Sequence, residues 1–274
     1  MTRTQVDDDA PLTGEDPRVG GPSRVARVAG WAGLTSRAEA DSWRPGAEEL
    51  RRPPRPHRAR EVWGLVGVGR LGAALPRLAR SPRGDGHVVV DVPGWKAPEA
   101  MGWPLRQYLR SLGHDARTWG LGVNTGRPER DADLLAESVL RLAQESGRPV
   151  SLVGWSLGGL IVREVARRHP EAVRRVVTYG TPVVGGPSWT AGAGAWSREE
   201  TSRIAALLAR LDAEEPIQVP VTAIYTPRDA IVTPAACMDL TTPRVDHVRV
   251  RSTHLGLTVD PDVWSVVAHR LALP

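Results

Sequence analysis

A serine between two glycines is the first feature of this sequence that could do chemistry. Ser156 lies in GWSLG (154–158), which follows the apolar run VSLV and precedes the helix-like stretch LIVREVARRHP. A sharp turn between a strand and a helix exposes the serine hydroxyl, and the flanking glycines let strand and helix approach closely. The N-terminus of the helix adds partial positive charge there. This context predicts that Ser156 is a nucleophile rather than a small residue in a glycine-rich turn.

A nucleophilic serine needs a base and a group that orients the base. Asp229 lies in a loop after the strand-like VTAIY, and His254 lies in a loop after HVRVR. Both side chains would emerge at the carboxyl ends of strands, where an open parallel sheet places its ligand site. We therefore predict that Ser156, Asp229 and His254 form a catalytic triad with Ser156 as the nucleophile.

Other acids and histidines fit these roles less well. They lie at the start of a strand or helix, at the end of a helix or in a linker, where structural roles are the simpler interpretation. They are Asp246, Asp260, Asp262, His57, His169 and His247.

Two backbone N–H groups are candidates for binding the oxyanion of a tetrahedral intermediate. Leu157 directly follows the serine at the start of the helix. Trp95 lies in the loop DVPGWKAPEAMGWPL, where Gly94 allows a tight turn. Two such donors would stabilise the intermediate by several kcal/mol, in order of magnitude.

Tryptophans are the candidates for an apolar substrate pocket. Trp155 and Trp103 are predicted to bind substrate, and Trp189 and Trp196 could line the same acyl pocket. Packing in the core or under a lid is the alternative interpretation for all four.

The elements that position these residues alternate between strand and helix patterns. Strands are predicted at 87–92, 114–121, 150–154, 173–180, 219–225 and 246–251, and helices at 104–113, 131–147, 158–170 and 261–273. A further helix is predicted within 61–80, bent or broken at Pro76. The alternation predicts an α/β fold with a mostly parallel central sheet and helices on both faces.

Two segments depart from this alternation. Residues 1–57 are predicted to be an N-terminal extension, largely disordered or loosely helical, ahead of a domain at 58–274. Residues 184–216 carry a Gly/Ala/Trp/Ser stretch followed by an acidic and apolar helix, and are either a small lid or an ordinary surface loop.

Four stretches resemble the α/β-hydrolase superfamily, in particular the lipase/esterase-like hydrolases of actinobacteria. They are SPRGDGHVVVDVPGW, VSLVGWSLGG, YTPRDAIV and STHLGL, and the resemblance runs from about 60 to 274. Trp95 stands where the family usually has Phe, and Thr253 before the histidine is a second departure. The resemblance implies the α/β-hydrolase fold, a serine esterase or lipase acting on apolar acyl esters, and roles for Ser156, Asp229, His254, Trp95 and Leu157 as above. Acyl transfer by the same triad stays open.

A dinucleotide-binding protein is the rival interpretation. Gly67, Gly69 and Gly72 make a G-x-G-x-x-G pattern after an apolar run, and Asp91 ends the next strand. Pro76 counts against it, since it falls in the first turns of the helix that must follow the glycines.

Composition limits the remaining classes of function and partner. The net charge of +5 comes largely from scattered arginines and from RRPPRPHRAR at 51–60, without a nucleic-acid-binding motif. We expect no nucleic-acid partner and at most a weak contact of 51–60 with an anionic membrane surface. Cys237 is the only cysteine, and the N-terminal stretch is too polar for a secretory signal, so a cytoplasmic protein is predicted. No cofactor and no metal site are expected, and the oligomeric state stays open.

Overall fold

A six-stranded parallel sheet forms the centre of the computed structural model, which describes residues 50–53, 61 and 66–274. The strands are β1 Val88–Val92, β2 Asp115–Thr118, β3 Val150–Trp155, β4 Val173–Tyr179, β5 Val221–Tyr225 and β6 Val245–Arg249. Their order across the sheet is β2-β1-β3-β4-β5-β6. Every residue of β1, β3 and β5 is buried, which accounts for their near-continuous apolar, β-branched sequences.

Helices cover the sheet. They are α1 Val66–Leu78, α2 Trp103–Ser111, α3 Pro128–Ser146, α4 Leu157–Arg168, α5 Arg198–Glu214 and α6 Pro261–Leu271. A large hydrophobic cluster joins α3 and α4 to one face of the sheet, with Val90, Leu152, Leu135 and Ile161 among its buried members. On the other side, Tyr108 of α2 stacks on Trp264 of α6 at a ring distance of 5.3 Å.

The predicted strands and helices are present, with different ends. β2 is shorter than predicted, because Gly120 and Gly122 have positive φ angles of 81° and 73° and turn the chain directly after it. The third helix starts at Pro128 because proline suits the first helical turn, and it ends before Gly147, which has the left-handed φ of 65°.

The dinucleotide interpretation is wrong for this chain. Gly67, Gly69 and Gly72 all lie inside α1, whereas the fingerprint needs them in the turn between a strand and a helix. A Cβ atom at Gly69 or Gly72 would meet no other atom within 4 Å, so no close approach requires glycine there. The helix continues past Pro76 and ends two residues later.

Most of the N-terminal extension lies outside the described residues, so its disorder, its boundary at 57 and a membrane contact of 51–60 stay predictions. Its described part touches the domain. Leu50 packs against a cluster that includes Tyr225, Val232 and Met238. Arg52 donates a hydrogen bond to a carbonyl in the segment 184–216, that of Ser188, at 2.9 Å.

The segment 184–216 folds as two short 3₁₀ turns, Gly186–Trp189 and Ala193–Ala195, followed by α5. Ser197 and Glu200 form a reciprocal capping box at the start of α5. The first part of the segment is fixed to the loop after β5 by an antiparallel bridge between Thr190 and Val232. Within the residues described, no helix is long and apolar enough to cross a membrane.

Candidate active site

The turn between β3 and α4 carries Ser156 in a strained conformation. Its φ of 53° and ψ of −122° lie in a region that residues with a side chain rarely adopt. A Cβ atom at Gly154 would come within 2.6 Å of the Gly159 Cα, and one at Gly158 within 2.4 Å of the Val92 carbonyl oxygen. Both glycines are therefore required by close backbone contacts of this turn.

Ser156, His254 and Asp229 lie in one hydrogen-bonded chain. The Oγ of Ser156 is 3.0 Å from Nε2 of His254, and Nδ1 of His254 is 2.7 Å from Oδ2 of Asp229. With the carboxylate ionised, Nδ1–H donates to Asp229 and leaves Nε2 to accept from the serine hydroxyl. The three side chains predicted from the sequence thus have the contacts that nucleophilic activation needs.

The Asp229 carboxylate is fixed by its own loop. Its Oδ1 accepts hydrogen bonds from the backbone N–H groups of Ile231 and Val232, at 2.8 and 2.7 Å. Oδ2 is thereby left to face His254. The acid is oriented before any substrate arrives.

Burial and two carboxylates act in opposite directions on His254. Burial disfavours the imidazolium and lowers the pKa. The charge of Asp229, its hydrogen bond and the charge of Glu61 raise it, and together they hold the pKa above its ordinary value of 6.5. This favours proton uptake from the serine during attack.

The competing acids and histidines of the sequence have other partners. Asp260 caps α6, Asp246 pairs with Arg270, and the ring of His247 accepts a hydrogen bond from the backbone of Asp239. Asp262 pairs with Arg70 and Arg77, His169 lies 3.6 Å from Glu171, and His57 lies outside the described residues.

The loop after β1 packs directly on the serine turn. A Cβ atom at Gly94 would meet the Trp155 ring at 2.9 Å and the Ser156 Cβ at 3.1 Å. Trp95 follows in this loop, and Leu157 is the first residue of α4, where a backbone N–H has no partner within the helix. Both predicted oxyanion donors therefore belong to segments that flank the serine.

Asn124 holds the loop after β1, a role that was not predicted from the sequence. Its side-chain Nδ2 donates to the Pro93 carbonyl at 2.8 Å, while its backbone carbonyl accepts from Lys96 at 2.7 Å. Lys96 has a positive φ of 59°. Nothing in the sequence around Asn124 signals this role, since LGVNTG is typical of an ordinary turn.

Solved structures share this arrangement of strands and helices. A structure described as that of LipS and LipT, two metagenome-derived lipolytic enzymes, has a TM-score of 0.55 at 14% identity, over 69% of this chain and 93% of that one. Lipase B of Aspergillus fumigatus has a TM-score of 0.52 at 18% identity, over 69% of this chain and 53% of that one. A family model for the alpha/beta hydrolase fold matches residues 120–250. The chain has the α/β-hydrolase fold.

Curated relatives of this chain are named esterases. Pimeloyl-[acyl-carrier protein] methyl ester esterase of Chromobacterium violaceum is 34% identical over 100 residues, which is 36% of this chain and 38% of the relative. The protein of the same name from Aromatoleum aromaticum is 39% identical over 88 residues, which is 32% of this chain and 34% of that relative. The match thus spans little more than a third of these relatives.

An apolar cluster joins the serine turn to the segment 184–216. Its buried members are Leu157, Leu160 and Val183, with Trp95, Val184 and Leu208 partly buried against them. The Trp95 ring also packs on Trp196 at 4.6 Å. We call this set the elbow cluster.

The other three tryptophans lie in different settings. Trp155 is buried, with its ring 5.4 Å from the His254 ring, so it supports the base from one side. Trp103 begins α2 and is 55% exposed. Trp189 packs beside Val232 in the cluster that also contains Leu50.

Proposed function

We propose that this protein is a member of the α/β-hydrolase superfamily, a serine esterase that cleaves carboxylic esters with an apolar acyl group. The observation that carries the proposal is the hydrogen-bonded chain from Ser156 through His254 to Asp229. A serine in a strained turn, 3.0 Å from an imidazole that is oriented by a buried carboxylate, is prepared for nucleophilic attack.

The proposed reaction has two halves. Nε2 of His254 takes the proton of Ser156 while Oγ bonds to the ester carbonyl carbon, and the carbonyl oxygen becomes an oxyanion. The N–H groups of Leu157 and Trp95 are proposed to bind this oxygen. The imidazolium, stabilised by Asp229, then protonates the departing alcohol and leaves an acyl-serine.

Water completes the cycle. Neutral His254 takes a proton from the water, the resulting hydroxide oxygen bonds to the acyl carbon, and Ser156 leaves with the proton returned by the imidazolium. An alcohol in place of water would give acyl transfer through the same steps.

The elbow cluster supports an apolar acyl group as the substrate. It begins at the residue after the nucleophile, with Leu157 and Leu160 on α4 and Leu208 on α5. The names of the curated relatives support an ester bond as the target. The segment 184–216 is proposed as a lid over this cluster, and Trp103 and Trp155 as further substrate contacts.

A fluorophosphonate probe tests the proposal directly. We expect one adduct, mapped to Ser156 by mass spectrometry, and turnover of p-nitrophenyl butyrate. Both should be lost in Ser156→Ala and His254→Ala. Product analysis with added methanol would separate hydrolysis from acyl transfer.

A second serine provides a matched control. Ser151 of β3 is fully buried, with its Oγ 2.9 Å from Nε2 of His87, whose Nδ1 is 2.5 Å from Asp85. Ser151 has partners of the same types as Ser156, but a probe cannot reach it. The Ser151→Ala variant should therefore still be labelled at Ser156. A folded wild-type protein without any adduct would contradict the proposed function.

A further inference from the structure

A carboxylate from upstream of the sheet bridges the loops that carry the acid and the base. Oε1 of Glu61 accepts hydrogen bonds from the backbone N–H of Ala230, at 3.1 Å, and of His254, at 3.2 Å. Oε2 accepts from the backbone N–H of Leu255 at 2.8 Å. Glu61 is itself only 6% exposed.

These three donors belong to two different loops. Ala230 follows Asp229 in the loop after β5, and Leu255 follows His254 in the loop after β6. A hydrogen bond from the Thr226 hydroxyl to the Ser252 carbonyl, at 2.7 Å, joins the bases of the same loops. Beside the hydrogen bond between Asp229 and His254, Glu61 is a further contact that joins the two loops next to the triad.

The chemistry of the contact requires a carboxylate. An ionised carboxylate offers two oxygens that only accept, and three backbone donors converge on them here. The amide of a glutamine would present an NH₂ group to at least one of these donors. The length of the side chain matters too, since aspartate is shorter by one methylene group.

We infer that Glu61 is a positioning residue for the proposed esterase reaction. It fixes the loops after β5 and β6 to one another, and so keeps the imidazole of His254 between Asp229 and Ser156. The inference rests on the proposed function. It assigns a role in the site to a segment that precedes the hydrolase sheet in sequence.

The charge of Glu61 gives the inference a specific signature. Among the described residues, the titratable groups that face His254 are Asp229 and Glu61, while the serine turn contributes the neutral Ser156 and Trp155. Both carboxylates favour the imidazolium. Removing the charge of Glu61 should therefore lower the pKa of His254, which a purely structural change elsewhere would not do.

Glu61→Gln is the variant that tests the inference, and Asp239→Asn is its matched control. Asp239 is also a buried carboxylate that accepts from backbone N–H groups, those of Thr241 and Thr242, and it pairs with Arg163. Both variants should lower the unfolding temperature. The rate of fluorophosphonate labelling at Ser156 is measured against pH for each variant, and the His254 ring is titrated by NMR.

Glu61→Gln should slow labelling by about 10- to 100-fold, since small misplacements of reacting groups have effects of that order. In this variant, the acid-side midpoint of the labelling rate at Ser156 and the pKa of His254 measured by NMR should both move to lower pH. Asp239→Asn should leave both midpoints in place. If Glu61→Gln does not fold, Glu61→Asp replaces it. For Glu61→Asp we expect slowed labelling and an acid-side midpoint close to that of the wild type.

The results separate the two proposals. Wild-type protein that is not labelled contradicts the esterase function, while the NMR titration still tests the electrostatic contact. Labelled wild-type protein together with a Glu61 variant of unchanged rate and midpoint overturns the role of Glu61 and leaves the esterase function standing.

Discussion

Asp229 decides which nitrogen of His254 carries the proton. In Asp229→Asn the oxygen can still accept from Ile231 and Val232, which places the NH₂ group opposite Nδ1. Nδ1 must then accept, Nε2 carries the proton, and the ring cannot act as a base toward Ser156. We expect kcat for p-nitrophenyl butyrate to fall by about 10³- to 10⁴-fold, as in other serine hydrolases with this substitution.

The unfolding temperature of Asp229→Asn should stay close to that of the wild type, because the substitution keeps the shape and the backbone contacts of the side chain. Near-normal kcat in the folded variant would show that the tautomer of His254 does not depend on Asp229.

The pH dependence of the wild-type enzyme follows from the raised pKa of His254. Proton transfer from Ser156 needs the neutral ring, so activity disappears as pH falls through the pKa of His254. Because the carboxylates outweigh burial, we expect the acid-side midpoint of kcat/KM to lie above 6.5. A midpoint below 6.5 in the pH profile would mean that burial dominates instead.

At the scale of elements, the serine turn depends on how closely α4 approaches the end of β1. A Cβ atom at position 158 would lie 2.4 Å from the Val92 carbonyl oxygen and 2.5 Å from that of Pro93. Gly158→Ala should therefore push the loop after β1 away from Ser156. We expect unfolding in urea to show a loss of at least about 1–3 kcal/mol, together with reduced activity.

Gly72→Ala provides the contrast within another helix. Gly72 lies inside α1, where an added Cβ would meet no atom within 4 Å. Alanine there should increase the free energy of unfolding by about 0.5–1 kcal/mol and leave activity unchanged. Equal losses of stability in the two variants would refute the close-contact explanation for Gly158.

Features that are encoded locally along the chain could be predicted from the sequence, and contacts between distant elements could not. The strands and helices follow from local apolar periodicity, and Ser156, Asp229 and His254 follow from their places after predicted strands. Glu61 meets Ala230 and His254 across 169 and 193 positions of the chain, and no local pattern encodes such a contact. The glycines of α1 show the reverse case, since their spacing matched a motif that their helical position rules out.

At the scale of the whole molecule, the sheet separates the proposed site from a second group of titratable residues. His87 and His114 lie at the starts of β1 and β2, with their rings 4.9 Å apart. Asp85 pairs there with Arg148 and Arg174 as well as with His87, and these contacts hold the pKa of its carboxyl group below the usual range, although partial desolvation acts to raise it. We expect the charges at this end of the sheet to affect the pH dependence of stability.

His114 should make the fold sensitive to acid. Both of its ring nitrogens are buried, and neither has a hydrogen-bond partner among the described residues. Burial lowers its pKa to about 4, and the pKa of His87 is lowered as well, again chiefly by burial. Between pH about 4 and 6.5 His114 therefore binds a proton more readily in the unfolded chain than in the folded one, so its contribution should lower stability as pH falls through this range.

Protonation of Asp91 has the opposite effect on stability over much of the same pH range. Burial raises the pKa of its carboxyl group to about 6, although the neighbouring Arg106 lowers it. The folded chain then binds more protons than the unfolded one between pH about 3.8 and 6, which adds stability as pH falls. The pH dependence of the wild type alone therefore does not isolate His114, and a variant is needed.

His114→Phe removes the titration while keeping an aromatic ring beside Gly84, whose backbone packs against the His114 ring. The difference in unfolding temperature between this variant and the wild type should be small near pH 7.5 and should grow in favour of Phe as pH falls toward 4. Scanning calorimetry at half-unit pH steps measures that difference. Parallel curves for the two proteins would assign the acid sensitivity to other groups, of which His87 is the nearest.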